Sequence, residues 1–238
     1  MRIHKYGITL TRLKEKDIEL VREKRNSGEI RASMQFRETI SAEMQKEWFN
    51  RVNNIYNNFF IITADNKQIG MIDGKNINYE KRTSEGGMFI WDKDYWGNIH
   101  PALASVIMSD FNFIINEFEK NYIKILRSNP KAIGHNRQLG YVPSNDFPHS
   151  DEVEWFELSR ENYFRHIGKL RKAIASGTGD ASLLSVDDFE FRDDSEEELK
   201  KLYSPLPEYL KAKIDHCLKR DGQQPLPPAD NNTTGEAR

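Results

Sequence analysis

The run Trp96-Gly97-Asn98-Ile99-His100-Pro101-Ala102 stands between an apolar strand pattern and a long helical one. A loop in that setting can aim backbone N–H groups at an anion, because a helix N-terminus gathers unpaired donors and the positive end of the helix dipole. Pro101 suits a first helical position, and His100 could donate to a phosphate. An ordinary strand-to-helix loop would carry the same residues. Upstream, Arg25 and Arg31 have the planar, forked donors that match a phosphate or carboxylate, with Asn26 beside them. Solvated helix charges would read the same way. Glu85 is a carboxylate just ahead of the strand pattern Gly87 to Trp91, where a solvated edge charge is the plain alternative. The four tryptophan and phenylalanine positions Trp48, Phe49, Trp91 and Trp96 read as core or cleft wall. The single cysteine, Cys217, lies far from these residues, so no covalent step and no cysteine-held zinc is indicated, and no metal is expected.

These residues need elements to hold them. Tyr6 to Leu13 has the β-branched and apolar content of a strand. Asp17 to Arg25 reads as a helix stopped at Ser27-Gly28. Ser41 is placed to cap a second helix with Met44, Trp48 and Val52 along one face. Phe59 to Thr63 and Gln68 to Ile72 flank Asp65-Asn66, a hairpin signal. Leu103, Ile107, Phe111, Ile114 and Phe118 predict a helix from Pro101 to Glu119, followed by a strand at Ile123 to Leu126, a helix from Pro130 to Leu139 and a strand at Val153 to Leu158. Hairpins early and one long helical crossover later imply an α+β sheet, antiparallel at first, with a parallel pair around the long helix and a right-handed crossover.

A chain of 238 residues suits one domain plus an appendage. The folded unit is expected over residues 1 to 174. Residues 175 to 238 are expected to be a polar linker and a largely disordered tail with one or two short helices, one of them capped by Ser195 with Glu198. The formal charge of -2 gives no electrostatic case for nucleic acid or an anionic membrane as partner. No window reaches the roughly 18 apolar residues of a membrane span, and lone cysteine usage fits a reducing compartment, so a cytoplasmic protein is expected. An exposed sheet edge makes a homodimer reasonable.

Directly after the Ile123 to Leu126 strand, Asn129-Pro130-Lys131-Ala132-Ile133-Gly134-His135-Asn136-Arg137-Gln138-Leu139-Gly140-Tyr141 resembles the N-x-x-A-I-x-x-N-x-x-L-G-[FY] signature of the GNAT acyltransferases. Arg25-Asn26, Arg31, Met34, Ile40-Ser41 and Trp48-Phe49 resemble the opening of two GNAT subgroups, the ribosomal-protein N-terminal acetyltransferases and the amino-sugar acetyltransferases of the pseudaminic-acid pathway. The resemblance spans most of residues 6 to 165. It implies a mixed central sheet with a splayed parallel strand pair and flanking helices, and acetyl-CoA or another acyl-CoA as co-substrate.

By the same resemblance, backbone N–H groups near Met88, Phe89 and Ile90 would face the thioester. Trp96, Gly97, Asn98 and His100 would lie at the pyrophosphate, and Asn129, Ala132 and Asn136 along the pantetheine arm. Glu85 would be the base that deprotonates the acceptor amine. Asn136 occupies the place of the usual tyrosine acid, which an amide cannot replace as an acid, and leaves Tyr141 and His135 as substitutes. Tyr141 reads as core packing as well. Arg25, Asn26 and Arg31 would line the acceptor side, suiting the amine of a nucleotide-linked sugar. Transfer to a protein N-terminus, or a catalytically weak GNAT-like binding protein, are the alternatives. The loop departs from the usual R/Q-x-x-G-x-G/A pattern, because Ile99 and Pro101 replace small or flexible residues and Pro101 has no N–H.

Overall fold

The computed structural model describes residues 1–148 and 150–229. In chain order the elements are β1 (Arg2–Lys5), β2 (Ile8–Arg12), α1 (Ile18–Asn26), α2 (Gly28–Ala32), α3 (Ala42–Val52), β3 (Asn58–Ala64), β4 (Lys67–Asn78) and β5 (Thr83–Ile90). There follow α4 (His100–Asp110), β6 (Lys120–Leu126), α5 (Pro130–Gln138), β7 (Val142–Pro143), β8 (Val153–Ser159), α6 (Arg160–His166), α7 (Gly168–Thr178), β9 (Phe189–Glu190), α8 (Glu196–Leu202) and α9 (Glu208–Arg220).

The strands form one sheet in the order β7-β8-β6-β5-β4-β3-β2-β1-β9. Every pairing is antiparallel except β5 with β6, the pair that α4 connects. This is the expected α+β sheet with its single parallel pair. Strand β3 reads Phe59-Phe60-Ile61-Ile62 because both sheet faces are covered. Phe60 and Ile62 join the larger core with Ile107 and Phe111 of the α4 side, while Phe59 and Ile61 join Val21 and Phe49 on the α1 and α3 side.

Several boundaries differ from those expected, each for a local reason. The first strand is two, because Tyr6 (φ 53°) and Gly7 (φ 78°) form a tight left-handed turn that pairs Arg2–Lys5 with Ile8–Thr11. In α3 the Ser41 hydroxyl caps Met44 N–H at 3.2 Å as anticipated, yet Met44 itself points outward and Gln45 and Phe49 are the residues turned inward. The long helix stops being α-helical at Asp110 and runs through a π-helical turn at Phe111–Ile115. The wider turn lets Phe111, Asn112 and Phe113 all be buried in succession.

Residues 175–229 hold the two short helices α8 and α9, with the Ser195 and Glu198 capping box in place. Composition did not suggest the rest of their structure. The 174 boundary falls inside α7, β9 pairs with β1 through Ile3 and Phe189, and Leu184, Phe191, Leu202 and Leu218 are buried in the main core. Few apolar residues suffice here because each lands on the existing sheet rather than building a core of its own. From α9, Lys213 Nζ donates to Ile115 O at 2.7 Å and Tyr209 donates to Asn116 O at 2.8 Å, satisfying carbonyls that the π-helical turn leaves unpaired. Residues 230–238, which include the final polar stretch expected to be disordered, lie outside the described residues. Among the described residues no helix is long and apolar enough to cross a membrane.

A chain ending at Thr178 should therefore melt at a lower temperature than the full chain or lose cooperativity, as read by thermal unfolding. Equal melting would show that the C-terminal segment adds nothing to the core. Deeper in the fold, Asp110 is fully buried against Tyr163 OH (2.8 Å) and Arg171. Burial raises its pKa and Arg171 holds it down. Arg171→Met should cost about 3 kcal/mol at neutral pH by leaving a buried charge unpaired. Because an acid with a raised pKa favours folding only when protonated, that deficit should shrink as pH falls toward the ordinary carboxylate range. Urea titrations of parent and variant across pH check both.

Candidate active site

Strands β5 and β6 pair from Thr83↔Lys120 to Gly86↔Ile123 and then part, although β5 continues to Ile90 and β6 to Leu126. The paired half is locked by Asn121, whose Nδ2 donates to Ser84 Oγ at 2.7 Å and whose Oδ1 accepts from the Tyr141 hydroxyl. Gly86 makes room for this amide, since a Cβ there would stand 3.0 Å from Asn121 Oδ1. Past Gly86, among the described residues, the edge of β5 that faces β6 has no strand partner, so the backbone of Gly87 to Ile90 borders the cleft where the two strands part.

On the α4 side of the cleft, Ser105 Oγ lies 3.8 Å from Met88 Sδ and 2.9 Å from His135 Nε2, linking β5, α4 and α5. Burial lowers the His135 pKa and so favours the neutral imidazole. The loop leading into α4 is shaped by Trp96 Nε1 donating to Ile90 O (2.9 Å) and by Gly97 at φ 81°. Asn98 Oδ1 accepts the His100 N–H at 3.1 Å and lies 3.0 Å from His100 Nδ1. The His100 ring sits edge-on to Tyr95, with Nε2 3.7 Å from Asp65 Oδ2. His100 is thus turned toward the β3–β4 hairpin, its amide is taken, and Pro101 has none to give.

In α5, Asn129 Oδ1 caps Ala132 N–H at 3.1 Å and Asn136 Nδ2 donates back to Ala132 O at 2.9 Å. The asparagine at the start of the signature therefore fixes the helix start at the cleft, and Asn136 is tied to its own helix. Tyr141 is 7% exposed, and burial pushes its phenol far above the ordinary range. A hydroxyl so enclosed, and already donating to Asn121, packs the sheet and is badly placed to deliver a proton.

The other face of β4 and β5 carries the charged residues. Arg25 of α1 lies 5.7 Å above the Phe89 ring, beside Trp91, and among the described residues its guanidinium has no hydrogen bond or ion pair. Burial lowers its pKa, with the Asp73 charge opposing. Asn26 and Ile40 exchange two hydrogen bonds, Nδ2 to O at 2.9 Å and N–H to Oδ1 at 2.8 Å, which latch the α2–α3 loop to α1. Arg31 donates to Thr39 Oγ1 of that loop at 3.2 Å. Of the three residues expected on the acceptor side, Arg25 faces the sheet, whereas Asn26 and Arg31 hold the loop that borders it.

Glu85 is on this face, with Oε1 3.3 Å from Lys75 Nζ and Oε2 accepting from Asn76 Nδ2 at 2.8 Å. Lys75 Nζ also contacts Asp73 Oδ1 at 3.0 Å. Burial works against the Lys75 charge, but Asp73 and Glu85 outweigh it and raise the ammonium above its ordinary range. Asp73 and Lys75 were missed because the expected strand ended at Ile72, whereas β4 runs to Asn78. The period-two alternation Met71, Asp73, Lys75 was the available signal. Further along the same face, beyond the cleft, Phe147 stacks on Trp155 at 4.1 Å with Lys124 5.5 Å over the Trp155 ring.

The mixed sheet, its single parallel pair and the splay beyond Gly86 define the GNAT fold. Solved structures with this fold are similar to the chain. Spermidine N-acetyltransferase from Vibrio cholerae in complex with CoA and spermine superimposes with a TM-score of 0.57 at 20% identity, covering 67% of this chain and 99% of that one. A spermidine N-acetyltransferase chimera from Vibrio cholerae and hSSAT gives 0.56 at 21%, covering 66% and 98%, and a dodecameric structure of the Vibrio cholerae enzyme gives 0.52 at 20%, covering 67% and 97%. No family model and no curated protein sequence matches the chain.

Tyr141→Phe should cost about 1–3 kcal/mol by leaving Asn121 Oδ1 without its donor. Denaturant unfolding reads that loss. Were Tyr141 instead a proton donor, the variant would be as stable as the parent and impaired only in turnover.

Proposed function

We propose that the chain is an acyl-CoA-dependent N-acyltransferase whose acceptor is a primary amine on a molecule bearing an anionic group, with a nucleotide-linked amino sugar as the best fit. The observation that carries this reading is the β5 edge from Gly87 to Ile90, which among the described residues has no strand partner toward β6, beside a face where Arg25 presents a guanidinium without a hydrogen bond or ion pair among those residues. The open edge suits the amide-rich pantetheine arm and leaves N–H groups for the thioester oxygen. The loop before α4 fits a pyrophosphate less well, since Asn98 has taken the His100 amide and Pro101 lacks one. Trp96 and Ile99, both exposed, supply apolar surface for the donor instead.

In the reaction the amine nitrogen attacks the thioester carbonyl, the C–S bond breaks, the nitrogen gives up a proton and the thiolate takes one. Glu85, one residue before the last β5–β6 pair, is assigned the first proton, directly or through water. Asn136 and Tyr141 are both engaged elsewhere, and His135, hydrogen-bonded to Ser105, is the histidine on α5 near the cleft. The blocked amide at the start of α4 also favours a second reading, a GNAT-like binding protein without turnover.

Calorimetry with acetyl-CoA and longer acyl-CoAs separates the two readings from no donor binding at all. Heat of binding together with amide formation on an amine panel is expected. Absence of heat at millimolar acyl-CoA overturns the donor assignment. Arg25→Ala should weaken use of a phosphate-bearing acceptor roughly ten- to a hundred-fold, the loss of a charge-assisted hydrogen bond, while leaving acyl-CoA affinity unchanged.

A further inference from the structure

We infer that Lys75 sets the charge class of the acceptor: its ammonium fills the place between Asp73 and Glu85 that a cationic amine would otherwise take, leaving Arg25 to select acceptors that carry an anion. This rests on the reading of the Arg25 face as the acceptor side.

The geometry of the three strand residues is specific. Lys75 Nζ bridges Asp73 Oδ1 (3.0 Å) and Glu85 Oε1 (3.3 Å), and Asn76 occupies Glu85 Oε2 (2.8 Å). The remaining oxygen, Asp73 Oδ2, faces the bare backbone of Gly87, where a Cβ would come within 2.8 Å of it and within 3.3 Å of Lys75 Nζ. Gly87 is also the first residue past the last β5–β6 pair, Gly86↔Ile123. The carboxylate, ammonium, carboxylate row therefore lies directly at the point where the cleft opens, with no side chain from Gly87 over it.

Two carboxylates there, left to themselves, would attract di- and polyamines. Lys75 answers them from within the sheet, and Arg25 adds a second positive charge that pairs with no carboxylate among the described residues. The four side chains balance to zero formal charge, with the one unsatisfied guanidinium positive. Such a face gives a polyamine no net attraction and gives a phosphate or carboxylate a partner. The amine that reacts must then arrive attached to an anion, and its own positive charge contributes little to binding.

The test measures amine binding to the whole protein by calorimetry without donor, using spermidine and glucosamine 6-phosphate as probes. The parent is expected to prefer the phosphate. Lys75→Gln should shift the affinity ratio about tenfold toward spermidine, one unit of charge at close range. A parent that binds spermidine as tightly as the phosphate, or neither probe, overturns the inference. So does a cooperatively melting Lys75→Gln variant with the parental ratio. Should that variant not fold, Glu85→Gln, which leaves Lys75 paired to Asp73, should move the ratio the other way, and an unchanged ratio counts against the inference equally. Because binding is read without donor, a parent with the expected preference but no acyl transfer would sink the catalytic reading alone.

Discussion

Backbone pairing between β5 and β6 lasts for four residue pairs and then ends, and the arrangement of the whole molecule follows from where it ends. Buried amide and carbonyl groups are almost always paired, so a sheet that gives up pairing in its middle must set water or a ligand against the freed edge. The closed half is held by a buried relay from Tyr141 through Asn121 to Ser84. The open half is framed by α4 and α5, joined by the Ser105–His135 hydrogen bond. The sheet is thus rigid up to Gly86 and accessible beyond it, which is the condition for a fixed backbone edge to serve as a binding surface.

Much of this was legible in the sequence where a residue type has only one mechanical use. Asp65-Asn66 forms its left-handed hairpin turn, at φ 50° and 61°. Pro130 and Gly140 bracket α5, and the Leu103 and Ile107 spacing produced the crossover helix. The signature starting at Asn129 marks the start of α5 because its asparagine caps that helix. Side chains with several possible partners were not legible. Asn26, Asn136 and His100 could all face a ligand by type, yet each has a nearer protein partner, in Ile40, Ala132 and Asn98. Tertiary competition for donors and acceptors decides such cases, and no local pattern records it.

The C-terminal segment shows the same limit for packing. Its composition is too polar for a core of its own, and that reasoning concerns an isolated segment only. Leu202 and Leu218 find their partners on surfaces the first half had already built, and Lys213 answers a carbonyl exposed by the irregular end of α4. Whether a sparse apolar pattern is a tail or a lining depends on what stands next to it.

The outermost strands, β7 and β9, are each two residues long, and Pro143 forms half of the first. A strand that short offers few free N–H and C=O groups for another chain to continue, and proline removes one of them. The sheet thereby ends itself at both margins without a barrel to close it. Among the described residues, edge-to-edge growth into fibrils through β7 or β9 is disfavoured by the same two stubs.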